Sequence, residues 1–328
     1  WYAVIKCDVS GHGIPAALLV AVVSTLFGEY FSNWSFKTHG TRINELITKI
    51  NETVCSYELT GKFVAVFLAL IDTKSGDVYM CNAGDSIVHH YDSKSKTQKE
   101  LHLNIIPATG MFDQFMIDMR GGYQVEKKLV LNKGDVLFLY TDGIEESVRF
   151  FRDENFNVIS CTETKDVTQG KGPRDLVHKT HNVGTQSEEL GNDRIKDIVE
   201  AVYNKKKYVL HKYHSPRPKE ILEFDFSKCD GTIEDSILAL AAIDKIFRFY
   251  KKPDAKGSVQ KTDSGIVIDG DGIRIDRKID AFLKKTFSLY DYYCHDQVDM
   301  GEQNYIYYVN LNEDVQADDL TIFAVKRL

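Results

Sequence analysis

Cysteine is scarce. There are six in 328 residues (Cys7, Cys55, Cys81, Cys161, Cys229 and Cys294), and no two form a CxxC pair. That spacing excludes a zinc knuckle or a redox dithiol and predicts small core residues in a reducing cytoplasm. Six prolines and 22 glycines exclude a collagenous or low-complexity chain. Basic residues do not dominate: 41 Lys and Arg stand against 48 Asp and Glu, net −7. The chain therefore lacks the positive field of a general nucleic-acid binder. No uninterrupted apolar run reaches the ~18–20 residues of a membrane span, and there is no signal peptide. The first residue is Trp1 rather than Met, and Trp1 to Cys7 already reads as a strand. The chain is thus expected to start inside a larger protein whose missing N-terminal part held any sensor or membrane tether. What is present is an ordinary globular composition, enough for one large domain or two at ~150 residues each.

Strand Tyr2 to Asp8 runs into Asp8-Val9-Ser10-Gly11-His12-Gly13, and Pro15 suits a first helical turn. Leu19, Val22, Val23, Leu26, Phe27 and Tyr30 recur at helical spacing, as do Ile43, Leu46, Ile47, Ile50, Val54 and Tyr57. Two consecutive helices are predicted, at about Pro15 to Phe31 and Thr41 to Tyr57. Phe63 to Ile71 reads as a strand buried on both sides, followed by Asp77 to Ala83, Ile87 to Tyr91, Val125 to Leu131 and Val136 to Tyr140. Tight turns such as Ser75-Gly76 and Asn132 to Asp135 make these hairpins, so the sheets are mainly antiparallel. Further on, Asn192 to Asn204, Glu234 to Lys251 and Ile279 to Tyr292 read as helices. Tyr208 to His211, Ile221 to Phe226 and Leu320 to Lys326 read as strands, and Lys252 to Ile275 as a loop. His89-His90 is placed on a hairpin surface, and the lysines at 205–207 on a solvated helix end.

Three acidic sites share a setting. Asp8 ends a strand before a glycine-rich turn, Asp142 follows Val136 to Tyr140 and precedes Gly143, and Asp318-Asp319 precedes the last strand. Carboxylates at strand ends beside small residues suit a hard divalent cation, which takes oxygen ligands and retains waters. Two rival patterns fail. Gly11-x-Gly13-x-x-Ala16 mimics a dinucleotide fingerprint, but two helices follow where a parallel strand ending in an acid is required. Asp269-Gly270-Asp271-Gly272 lacks the later ligands of a calcium loop.

The string DVSGHGIPAALL at Asp8 to Leu19 resembles the signature of SpoIIE-like phosphatases, the bacterial branch of the metal-dependent protein phosphatase (PPM, protein phosphatase 2C) superfamily. In order along the chain, FVAVFLALIDTKSGDVYMCNAGDS at Phe63 to Ser86, LFLYTDGIEES at Leu137 to Ser147 and ADDLTIFAVKR at Ala317 to Arg327 resemble its central hairpin, its YTDG motif and its DDxT strand. The resemblance implies an α+β fold of two packed, mainly antiparallel sheets flanked by helices, an αββα sandwich. Residues 1–328 would form a single N-terminally truncated domain, with a long insertion at 205–314 packed on it before the last strand.

The resemblance also implies hydrolysis of phosphoserine or phosphothreonine by water activated on two or more Mn²⁺ or Mg²⁺ ions. Asp8, the Val9 carbonyl, Asp142 and Asp318 would be ligands, with Asp319 supporting. A further ligand of the family would lie upstream of Trp1. Asp85 stands where many members have histidine. His12 either donates a proton to the leaving serine oxygen or packs structurally. The implied partners are a phosphorylated regulator of the anti-sigma-antagonist (STAS) type and an upstream sensor in the same polypeptide, with a homodimer left open and no nucleic acid. The implied location is cytoplasmic, with room for a membrane tether. The competing function is a non-catalytic phosphoprotein-binding or regulatory module on the same fold.

Overall fold

A computed structural model describes the chain except residues 58, 60, 161–183, 213–219, 252–257, 263–264, 270–271, 295–296, 300–303, 310 and 316–319. It divides into two compact units, Trp1–Leu139 with Ala324–Leu328, and Tyr140–Phe323.

The first unit contains β1 (Tyr2–Val9), α1 (Ile14–Ser32), α2 (Phe36–His39), α3 (Asn44–Ser56), β2 (Val64–Ile71), β3 (Asp77–Ala83), β4 (Ile87–Asp92), β5 (Thr97–His102), α4 (Gln114–Met119), β6 (Glu126–Val130) and β7 (Val136–Tyr140). One sheet has the order β1-β2-β3-β6; the other places the last strand, Ile322–Lys326, beside β7, then β4 and β5. The two sheets stack on each other, because Val4, Phe67, Ala69, Ile71, Val78 and Met80 of the first share a core with Val88, Leu137 and Leu139 of the second. Alternate residues of β2, Val64, Val66, Leu68 and Leu70, point the other way and pack with Leu19, Val23, Leu46, Ile47 and Ile50 of α1 and α3. A strand with a core on each face must be apolar throughout, which is why β2 shows no alternation. The fold is α+β, with antiparallel sheets flanked by helices.

By length and composition α1 could cross a membrane, with a mean hydropathy of 1.7 over its apolar window. Ser24, Thr25 and Gly28 interrupt the run in sequence without lowering that average much. Here Leu19 and Val23 are buried in the core under the first sheet, while Ile14, Leu18 and Val20 are exposed.

The second unit contains a helix at Gly191–Tyr203, a hairpin of Lys207–Lys212 with Glu220–Asp225, and a helix at Ile233–Arg248. Three expectations need correction in it. Residues assigned to a loop hold strands: Ser258–Thr262 pairs with Gly265–Asp269, and Gly272–Asp276 with Tyr305–Val309. The helix expected at Ile279 to Tyr292 breaks into Arg277–Thr286 and Tyr290–Cys294. Phe287 leaves helical geometry (φ −91°, ψ 123°), bridges to Phe224 and stacks on its ring at 4.8 Å. The expected helix to Lys251 stops at Arg248, because Phe249–Tyr250 pairs as a short strand with Asn312–Glu313.

His89 and His90 are not on a hairpin surface; both are buried in the first unit. β4 lies between β7 and β5, so neither edge is free, and the alternating side chains of His89 and His90 are buried on opposite faces of the sheet. Burial, assisted by the charges of Lys6 and His102, pushes the His89 imidazole down to about 4 from its ordinary 6.5. A depressed folded-state pKa means that the unfolded chain binds the proton first as pH falls. The neutral ring is tolerated above pH 6.5, and stability drains away between there and pH 4, by on the order of 3 kcal/mol. Melts of the protein and of His89→Gln across that range check this: the substitution should flatten the acid-side slope.

Candidate functional site

β1 carries the first predicted ligand. Ala3, Ile5, Cys7 and Val9 pack toward the helices, whereas Val4 enters the core between the sheets. Strand alternation therefore sends Lys6 and Asp8 to the inter-sheet face, with Asp8 near the end of the sandwich. Lys6 Nζ pairs there with Asp85 Oδ2 at 2.5 Å, which gives the unexpected aspartate of AGDS a partner. Asn82 of β3 faces Phe67, as does Lys6 from the other side. Its Oδ1 is buried and accepts no hydrogen bond.

Val9 is placed by backbone geometry. A residue in an antiparallel strand sends its N–H and C=O to the same side. Val64, opposite Val9, spends both on Thr109, at 2.8 and 2.9 Å. The N–H and C=O of Val9 consequently point away from β2, and β1 ends the sheet order, so that carbonyl faces the open edge.

The turn after Val9 is held from below. Ser10 exchanges bonds with Phe63, N–H to carbonyl at 3.0 Å and Oγ from the Phe63 N–H at 2.9 Å. Lys62 Nζ donates to the Ser10 carbonyl at 2.9 Å. Gly11 adopts φ +76°, a conformation that favours glycine, and a Cβ there would displace the Lys62 ammonium from the turn. His12 is exposed on this turn. Lys62 also lines a cavity of about 460 Å³ with Cys55, Leu59, Phe63 and Met111. Sequence reasoning passed over Lys6, Lys62 and Asn82. Only the position of Lys62, just before the β2 apolar run, offered a signal.

Asp142 lies in the second unit, at the start of the short helix Asp142–Glu145. It is exposed, and among the described residues its carboxylate has no hydrogen-bond or ion-pair partner. Thr141, immediately before it, is bonded to Thr321: Thr141 N–H donates to the Thr321 carbonyl at 3.1 Å, and Thr321 N–H donates to Thr141 Oγ1 at 3.0 Å. The structure thus joins the TDG segment to the DDLT segment although they are far apart in the chain. Asp318 and Asp319 themselves lie outside the described residues. Among the described residues no three His, Cys, Asp or Glu side chains are grouped to hold a metal ion.

The family model for Stage II sporulation protein E (SpoIIE) matches residues 1–197, more than half of the chain. The chain belongs to the SpoIIE family. That family is a branch of the PP2C-type serine/threonine phosphatases. Among solved structures, the PP2C phosphatase domain of SpoIIE from Bacillus subtilis, with a fragment of its regulatory domain, is 18% identical over 44% of this chain and 39% of its own (TM-score 0.33). The SiaA-PP2C domain of Pseudomonas aeruginosa is 15% identical over 61% and 64% (TM-score 0.36). The catalytic domain of the phosphatase PstP, solved in complex with two manganese ions, is 11% identical over 43% and 67% (TM-score 0.33). The SpoIIE-family chain therefore spans less than two thirds of the first two. At these scores the family match, rather than the structural likeness, makes the assignment. A search of curated proteins finds no match.

The donors of this SpoIIE-family chain fit a hard cation in their chemistry. They are carboxylates at Asp8 and Asp142 and a carbonyl turned to a sheet edge at Val9, the oxygen ligands that such a cation takes.

Proposed function

We propose that the chain is a metal-dependent phosphatase acting on phosphoserine or phosphothreonine in a protein. The observation that carries this is the Thr141–Thr321 bond pair, which ties the segment bearing Asp142 to the one leading from Asp318. Asp8, the Val9 carbonyl, Asp142 and Asp318 would hold Mn²⁺ or Mg²⁺, with Asp319 supporting. Bound there, paired divalent ions would supply a water of lowered pKa and offset charge on the phosphoryl oxygens. The chain's own contribution is placement. The Lys62 and Ser10 bonds fix the turn on which His12 stands in solvent, four positions after Asp8, where it would hand a proton to the departing serine oxygen. We assign the substrate to phosphoserine regulators of the anti-sigma-antagonist type, in a bacterial signalling pathway with its sensor upstream in the same polypeptide. The test is release of phosphate from a phosphoserine protein of this type by the intact protein. Turnover with Mn²⁺, abolished by a chelator and restored by added metal, is expected. Stoichiometric binding of the phosphoprotein without turnover would instead establish the regulatory-module reading.

A further inference from the structure

We infer that Asp244, in the helix Ile233–Arg248, is a positioning residue for the segment that begins at Asp142. The inference rests on the phosphatase reading above and concerns residues of the second unit alone.

Asp244 is fully buried on a helix face it shares with Leu240, Ile243 and Phe247. A carboxylate in that setting must be fully bonded. Its Oδ1 accepts a bond from Ser147 Oγ at 2.5 Å, and Arg248, one turn along, donates to its Oδ2 at 2.9 Å. Ser147 lies five positions after Asp142, just past the short helix that Asp142 opens. Arg248 also reaches the other way. Its Nη1 donates to the Asp314 carbonyl at 3.0 Å, and its own carbonyl accepts from the Asp314 N–H at 3.1 Å. The Asp314 carboxylate accepts from the Phe150 N–H at 2.9 Å. Asp314 stands four positions before Asp318. One helix therefore holds both the segment after Asp142 and the segment that leads into Asp318.

A buried ion pair seldom adds stability over an apolar replacement of the same volume. What it adds is direction, and ligands of a metal centre need to be held within about 0.5 Å of their working geometry. Asp244, Arg248 and Asp314 also lie beyond residues 1–197, outside the part of the chain that the family match covers.

Calorimetric titration of the intact protein with Mn²⁺, beside metal-free melts, tests the role. Ser147→Ala removes the link and leaves the Asp244–Arg248 pair in place. It should weaken Mn²⁺ binding about 10-fold, as loss of a group that orients a metal ligand does, and lower the metal-free melt only modestly, because Asp244 loses one hydrogen bond and keeps those from Arg248. Ser147→Thr, which retains the hydroxyl, should restore binding. Asp244→Asn should weaken Mn²⁺ binding in the same direction and lower the melt further, because Arg248 loses one of its two counter-charges, Asp244 and Glu313. Unchanged Mn²⁺ binding in Ser147→Ala overturns the positioning role while leaving the phosphatase reading intact. Failure of the unsubstituted protein to bind Mn²⁺ overturns both.

Discussion

Replacing Asp142 with asparagine should abolish phosphate release, by more than about 100-fold, and leave the fold untouched. The size follows from losing a main electrostatic element of the site. The sparing of the fold follows from the structure: the Asp142 carboxylate is exposed and bonds nothing among the described residues, so no internal contact is lost. Glycine at 143 and Ile144 are buried and carry the turn. Initial rates on a phosphoserine protein at saturating Mn²⁺, with a melt of the same sample, check both halves. Full activity in Asp142→Asn would remove this residue from the reaction.

The largest loss of stability should come from Glu188→Ala. Glu188 is buried in the second unit between two arginines, bonded to Arg149 and, at 2.8 Å, to Arg194. Both guanidiniums also lie over the Phe247 ring, at 5.2 and 5.3 Å. Burial already pulls the Arg149 pKa down, and Glu188 is the first charge opposing that pull. Removing the carboxylate leaves two buried cations facing each other without their shared anion. The loss should be about 3–5 kcal/mol, the range for breaking a buried pair from one side. Denaturant unfolding measures it. Glu188→Gln retains acceptor oxygen for one arginine and should lose less.

Much of this protein was legible from local pattern. β1 to β4, β6 and β7 follow from short apolar runs divided by turn residues, and α1 and α3 from spacing of three and four; β5, with the polar sequence TQKELH, does not read as a strand because its pairing with β4 decides it. Asp8, Asp142 and Asp318 stand in distinctive strings, so their candidacy needed no contact information. What could not be read was whatever depends on residues distant in sequence. Ser147, Asp244, Arg248 and Asp314 have no shared spacing, and each alone resembles an ordinary surface polar residue. His89 and His90 sit in a strand whose burial is decided by its neighbours β5 and β7, not by its own composition. The break at Phe287 is likewise tertiary: local propensity continues the helix, and stacking on Phe224 overrides it.

Arg327 deserves its place in the sheet beside β7. Its guanidinium donates to the carbonyls of Ser75 at 2.8 Å, Leu131 at 2.6 Å and Lys74 at 2.6 Å, and its backbone bonds Gly134 and Asp135. A ribosome makes residues 324–328 only after the whole of the second unit. Until then β7 is an unpaired edge with the sequence Val-Leu-Phe-Leu-Tyr, and the hairpins at Ser75 and Asn132 lack their clasp. The nascent first unit must wait, with a sticky border, through the synthesis of everything between. Chains cut short before Ala324 should therefore aggregate rather than persist as a smaller folded protein.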